Sequence, residues 1–218
     1  MRPCLNCALA AAVLLSSAAS AQQPAIAQLY PAAPPPGSAF VRVVNPQGFP
    51  ARISMAGVEE KQPISVPANI ATHYRIVNPS RPLQILVNAR PVPVTIQPDS
   101  FTTLVLRQTG GDYSLVALND ITRGHNALKA DLRFYNLVPG CLATVMAEQA
   151  LKVFDDVPEN ETRRRSINPV AVPLNGLCGK ASSLPWTLPP LQPGARYSLF
   201  LTGDPLKPVL TGKIDVVE

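Results

Sequence analysis

The feature that most constrains this chain is an internal echo. Ala39-Phe40-Val41-Arg42-Val43-Val44-Asn45 returns as Ala130-Asp131-Leu132-Arg133-Phe134-Tyr135-Asn136. Each copy is a strand-like run closing in Arg-x-x-Asn, followed by turn residues and a second apolar run, Ala51–Met55 in the first and Leu142–Met146 in the second. A motif repeated at this spacing points to two related β-units. A further echo, Tyr113-Ser114-Leu115-Val116 against Tyr197-Ser198-Leu199-Phe200, suggests that the copies also end alike.

Proline decides what kind of unit this is. With 25 prolines, 46% hydrophobic and only 15% charged residues, the chain is too apolar for disorder and too often interrupted for long helices. Prolines cut the first half into pieces of strand length, which predicts an all-β fold of two tandem β-sandwich domains, Ig-like or jelly-roll-like. Expected strands in the first copy include Phe40–Asn45, Val92–Ile96, Phe101–Arg107 and Tyr113–Leu118. Pro93 argues that Val92–Ile96 lies at a sheet edge, and Gly110-Gly111 marks a hairpin turn. Expected strands in the second include Leu132–Leu137, Leu142–Met146, Ala150–Phe154, Ser166–Val172, Ser198–Thr202 and Val209–Val216. The acidic-then-basic stretch Asp155–Arg165 is expected to be an exposed loop carrying local ion pairs, with partner docking as its alternative use.

The domain plan is then a signal peptide at 1–21, a Pro/Ala-rich arm at 22–37, a first sandwich at 38–118, a linker at 119–127 and a second sandwich at 128–218. The first segment has the layout of a secretory signal, with Arg2, an apolar stretch from Ala8 to Leu15 and the small-residue close Ala19-Ser20-Ala21. Export makes the expected location periplasmic. It also leaves only Cys141 and Cys178 of the four cysteines, a disulfide candidate in an oxidising compartment, with two free thiols as the alternative.

No catalytic constellation emerges. His73 and His125 are the only histidines and have no metal-binding spacing, so no metal site or cofactor is expected. No Gly-x-Ser-x-Gly elbow occurs. Asp99-Ser100 resembles the Gly-Asp-Ser block of SGNH enzymes, but Pro98 precedes it and no Asp-x-x-His follows; turn residues ahead of a strand are the simpler account. Neither Glu59-Glu60 nor Asp155-Asp156 is placed to flank a glycosidic bond. The single tryptophan, Trp186, sits among prolines and leucines as a core plug rather than a sugar platform.

Charge is uneven. From Ser38 to Val116 there are seven basic residues against four acidic ones, whereas the second copy is nearly balanced. Arg42, Arg52, Arg75 and Arg90 are therefore candidate polyanion contacts, although scattered arginines are also an ordinary solvated surface. Arg42 and Arg133 are read as repeated because the duplicated strand needs a solvated face, with repetition for function as the alternative. A nucleic-acid partner is not expected without a dense basic stripe.

Four stretches together resemble the AlgF family, the periplasmic adaptor of alginate O-acetylation: Leu29-Tyr30 through Pro36–Val43, Lys129–Leu137, Arg165–Val170 and Tyr197–Phe200. The resemblance implies a two-domain β-sandwich without catalysis of its own. It implies partners in a membrane-bound O-acyltransferase and SGNH-type acetyl transferases that decorate alginate or a related polymer. The alternatives are a carbohydrate-binding module for an anionic polysaccharide and a chaperone-like sandwich of a surface-assembly system. The Cys141/Cys178 pair and the high proline content depart from the family pattern.

Overall fold

The computed structural model describes residues 34–80, 83–120, 126–147, 151–169 and 171–218. The expected signal peptide, all but the end of the arm, and most of the expected linker, His125 included, lie outside the described residues.

The fold is all-β. In the first half β1 (Ala39–Val44), β2 (Ile53–Met55), β3 (Val58–Glu59), β4 (Arg75–Val77), β5 (Ile85–Val87), β6 (Arg90–Val92), β7 (Phe101–Thr109) and β8 (Asp112–Asn119) form two sheets. Their orders are β4-β1-β7-β8 and β3-β2-β5-β6. The second half holds β9 (Ala130–Asn136), β10 (Ala143–Ala147), β11 (Leu151–Val157), β12 (Glu161–Ile167), β13 (Pro173–Cys178), β14 (Ala181–Ser182), β15 (Trp186–Thr187), β16 (Arg196–Asp204) and β17 (Lys207–Ile214). These form a sheet ordered β12-β9-β16-β17 and another ordered β11-β10-β13-β14, with β15 beside β13.

Sheet pairing shows what the repeat means. β1 runs parallel to β7 and β9 runs parallel to β16, with Arg42 opposite Thr103 and Arg133 opposite Ser198. The two central strands are thus equivalent, and so are β7 and β16. The repeated asparagines have one job in both copies. The Asn45 amide donates to the carbonyls of Phe49 and Ile64 while its oxygen accepts from the Gln47 amide. Asn136 donates to Cys141 and Val157 and accepts from Val138. Each holds the chain leaving the central strand against its neighbour, satisfying buried backbone groups that a sheet ladder does not reach.

Successive strand residues face opposite sides of a sheet, so a central strand buried on both faces must satisfy two environments. All six residues of β1 and all seven of β9 are buried. From β1, Val41 and Val43 join Ile53, Ile85, Leu104 and Leu106 in the core of the first sandwich. From β9, Leu132 and Phe134 join Val145, Leu174, Leu199 and Leu201 in the second. The alternate residues Val44 and Tyr135 meet each other in a third cluster with Val105, Leu118, Leu137 and Phe200. The two sandwiches therefore pack inner sheet to inner sheet.

Cys141 and Cys178 form a disulfide, Cα atoms 5.5 Å apart, tying the start of β10 to the end of β13, where Ala143 pairs with Cys178. Trp186 is half-buried against the second core and lies directly over Gly212, which makes it a plug. Gly110 and Gly111, at φ 61° and 95°, close the β7–β8 hairpin in the left-handed conformation that glycine tolerates.

Several expectations need correction. The echo at Tyr113 and Tyr197 is coincidental, because Tyr113 lies on β8 and Tyr197 on β16, which are not equivalent strands. Val92–Ile96 is not a strand. Pairing ends at Val92, although β6 does lie at a sheet edge; Pro93 has no N–H to continue the ladder. Asp155–Arg165 is not a loop. It forms the end of β11, a tight turn and most of β12, and β12 stops at Ile167 rather than filling Ser166–Val172. β8 runs to Asn119, into the expected linker. The final residues return to the first sandwich, where Tyr74 bridges Val217 and the Glu218 amide donates to the Tyr74 carbonyl.

Candidate functional site

Among the described residues, a close group of buried ionisable side chains lies between the sandwiches. Arg42 projects from β1 away from its own core, and its side chain is 1% exposed. Its Nε donates to Thr103 Oγ1 at 3.0 Å, Nη1 to Asp215 Oδ1 at 2.8 Å, and Nη2 to Tyr135 Oη and Ser198 Oγ, each at 2.8 Å. The guanidinium also stacks 4.4 Å from the Tyr74 ring centroid and 5.1 Å from that of Tyr135. From the other sandwich, Arg133 Nη1 reaches Asp120 at 3.9 Å and donates to Tyr74 Oη at 3.3 Å.

The arrangement is reciprocal. Thr103 donates to Asp120 at 2.7 Å and Ser198 donates to Asp215 at 2.7 Å, both across 17 residues of sequence. Each sandwich thus supplies an arginine from its first strand, a hydroxyl from the parallel neighbour, and an aspartate just beyond its last strand. Each arginine crosses to the other sandwich's aspartate, as expected of an isologous interface. Two guanidiniums face two carboxylates, so the site is neutral.

Such an enclosure holds its charges. Burial alone pulls the Arg42 guanidinium down, but Tyr135, Tyr74, Asp215 and Asp120 outweigh it and the net direction is upward. Burial pushes the Tyr74 and Tyr135 phenols up, with Arg42 pulling the other way. The Arg42 guanidinium is thereby held charged and the two phenols neutral near neutral pH, while Asp120 accepts from Tyr74, Thr103 and Tyr135 and Asp215 accepts from Arg42 and Ser198.

The other polar candidates are similarly engaged. Ser100 donates to the Gln97 carbonyl at 2.6 Å, and Asp99 accepts from the Gly37 amide at 2.8 Å, so the pair is a turn ahead of β7. His73 contacts Glu218 at 2.5 Å. Among the described residues no group of three or more His, Cys, Asp or Glu could hold a metal ion, and no helix is long and apolar enough to cross a membrane.

A family model described as Alginate O-acetyl transferase AlgF matches residues 12–195. This chain belongs to the AlgF family. The alginate biosynthesis protein AlgF of Pseudomonas aeruginosa is 32% identical over 200 residues, covering 89% of this chain and 87% of that protein. The protein of the same name from Pseudomonas putida is 31% identical over 148 residues, 68% of this chain and 65% of that one. A structure of the C-terminal domain of AlgF from P. aeruginosa aligns at a TM-score of 0.35 and 28% identity, covering 40% of this chain and 98% of that one. The family resemblance seen in the sequence holds, and with it the setting of alginate biosynthesis and O-acetylation.

Within this AlgF chain the four arginines singled out as polyanion contacts do not converge. Arg42 is withdrawn from solvent altogether, because it is the centre of the inter-sandwich cluster; the solvated-face reading of Arg42 and Arg133 fails for the same reason, both being buried. Arg75 is held by Glu60 at 3.1 Å and Glu218 at 3.3 Å. Arg52, with a 66% exposed side chain, has only a loose contact to Glu59 at 3.9 Å, and Arg90 donates to the Gly111 carbonyl from an exposed position. Sequence reasoning missed Asp120, Asp215, Tyr74 and Tyr135. The usable signal was the hydroxyl and aspartate separated by the same distance in both copies.

Proposed function

We propose that this chain is a non-catalytic periplasmic adaptor in O-acetylation of alginate or a related exopolysaccharide. It links acetyl-transfer components, a membrane-bound O-acyltransferase and SGNH-type acetyl transferases. One observation carries the reading: among the described residues, the buried cluster of Arg42, Arg133, Asp120 and Asp215 with its hydroxyl partners is closed and spent on holding one sandwich against the other. A cluster whose charges are spent inside the molecule fixes the surface that the two sandwiches offer to partners. The Cys141–Cys178 disulfide suits an oxidising compartment. Direct contact with the polymer would fall to Arg52 and Arg90, which keep exposed side chains.

Affinity purification of the tagged chain from the native periplasm and membrane fraction tests the reading. Recovery of an O-acyltransferase or an SGNH-type transferase is expected, and the purified chain with an acetyl donor should leave the polymer unmodified. Recovery of polysaccharide without either enzyme, or acetyl transfer by the chain alone, would overturn it.

A further inference from the structure

The second sandwich is open along one side. β12 ends the sheet β12-β9-β16-β17, and β11 ends the opposite sheet. Between these two edges lies a cavity of about 510 Å³ lined by Leu132, Leu151, Val153, Ile167 and Leu174. Leu132 and Leu174 are core side chains at 0% and 1% exposure, whereas Leu151 at the mouth is 63% exposed. The cavity thus connects solvent to the aliphatic interior.

Its rim is cationic. Lys129 and Arg165 border the cavity, and among the described residues neither has a carboxylate partner. Arg165 donates instead to the Lys152 and Val153 carbonyls of β11, holding the two edges together. The neighbouring arginines are already paired, Arg163 with Glu161 at 2.6 Å and Arg164 with Asp131 at 2.6 Å.

The edge itself is regular. β12 pairs with β9 in unbroken register from Glu161↔Asn136 to Ile167↔Ala130, and no described strand lies on its other side. Exposed edges are usually blunted by a bulge, a proline or charge. Here only charge is used: Glu161 and Asp131 offset Arg163 and Arg164, which leaves Arg165, with Lys129 beside it, as the net cationic part of the edge. Like charges repel a second copy of the same edge, while an acidic strand meets no such barrier.

We infer that the seam between β11 and β12 is a docking groove for an extended acidic segment of a partner protein. The segment adds to the free edge of β12, seats an aliphatic side chain among Leu151, Val153 and Ile167, and places its carboxylates against Lys129 and Arg165. This deepens the adaptor reading and rests on it for the partner's being a protein.

A peptide spanning the seven residues of β12, with alternating valine and glutamate, tests the groove when titrated into the full chain and followed by amide chemical shifts. Expected are saturable, salt-weakened binding with shifts concentrated in β11 and β12, and a loss on the order of tenfold or more in the Lys129→Glu/Arg165→Glu variant. Leu151→Glu, at an exposed site, should weaken binding without altering thermal stability. Equal binding of a valine–lysine peptide, indifference to the charge reversal, binding of laurate in place of the peptide, or pairing of two chains through β12 would each overturn the inference. The same charge-reversed variant separates the two claims in affinity purification. If it recovers the transferases as well as the parent chain does, the groove is wrong and the adaptor stands; if neither recovers them, the adaptor reading fails.

Discussion

Arg42 has four hydrogen-bond acceptors, one of them its ion-pair partner Asp215, at 1% exposure, so removing it strands Asp215 without its counter-charge. Arg42→Met should cost about 3–5 kcal/mol, the range for breaking a buried pair by deleting one partner, whereas Arg42→Met/Asp215→Leu should recover much of that. Arg52→Ala, at a solvated position, should change stability by less than about 0.5 kcal/mol. Denaturant unfolding of the three variants checks the order. The phenols of Tyr74 and Tyr135 are raised in the folded chain. Their contribution is therefore complete below the ordinary tyrosine value near 10 and is lost as pH rises above it, because the unfolded chain ionises first. Absorbance at alkaline pH should show these two phenols ionising together with unfolding rather than before it. The arginine repeat was legible in the sequence, but its role was not: a buried arginine and a surface one look alike until the residues that neutralise it, Asp120 and Asp215, are known to be near.

At the scale of strands and turns, the disulfide closes a separation of 37 residues, and loop entropy assigns such a link about 3–4 kcal/mol. Cys141→Ser/Cys178→Ser should lower the stability of the chain by roughly that amount. Gly212→Ala would place a methyl where the Trp186 ring lies, an overpacking expected to cost about 1–3 kcal/mol. Because Trp186 is the single tryptophan, its emission should shift red as the ring is pushed toward water; unchanged emission would show that the ring is not wedged there. Strands built on apolar runs between turn residues, such as β7, β10 and β17, were legible in the sequence, and so was the glycine turn between β7 and β8. β12 was not, because its exposed face carries Glu161, Arg163 and Arg165 and charge density imitates a loop. Val92–Ile96 erred the other way, its alternation being real while Pro93 interrupts the backbone ladder.

For the whole molecule, the shared cluster of Val44, Val105, Leu118, Leu137 and Phe200 contributes about 1.5–3 kcal/mol per fully buried side chain. Paired charges add less, and their part is to fix which way the sandwiches meet. That geometry was not legible in the sequence, since the duplication predicts two units but says nothing of the faces they turn to each other. The measurement that tests it most directly is equilibrium unfolding of the chain followed at Trp186 in the second sandwich and at a fluorophore placed on the exposed β8 residue Ser114 in the first. The inter-sandwich core predicts one coincident transition for both probes, moved together to lower denaturant by Arg42→Met. Two separated transitions, or a shift in one probe alone, would contradict it.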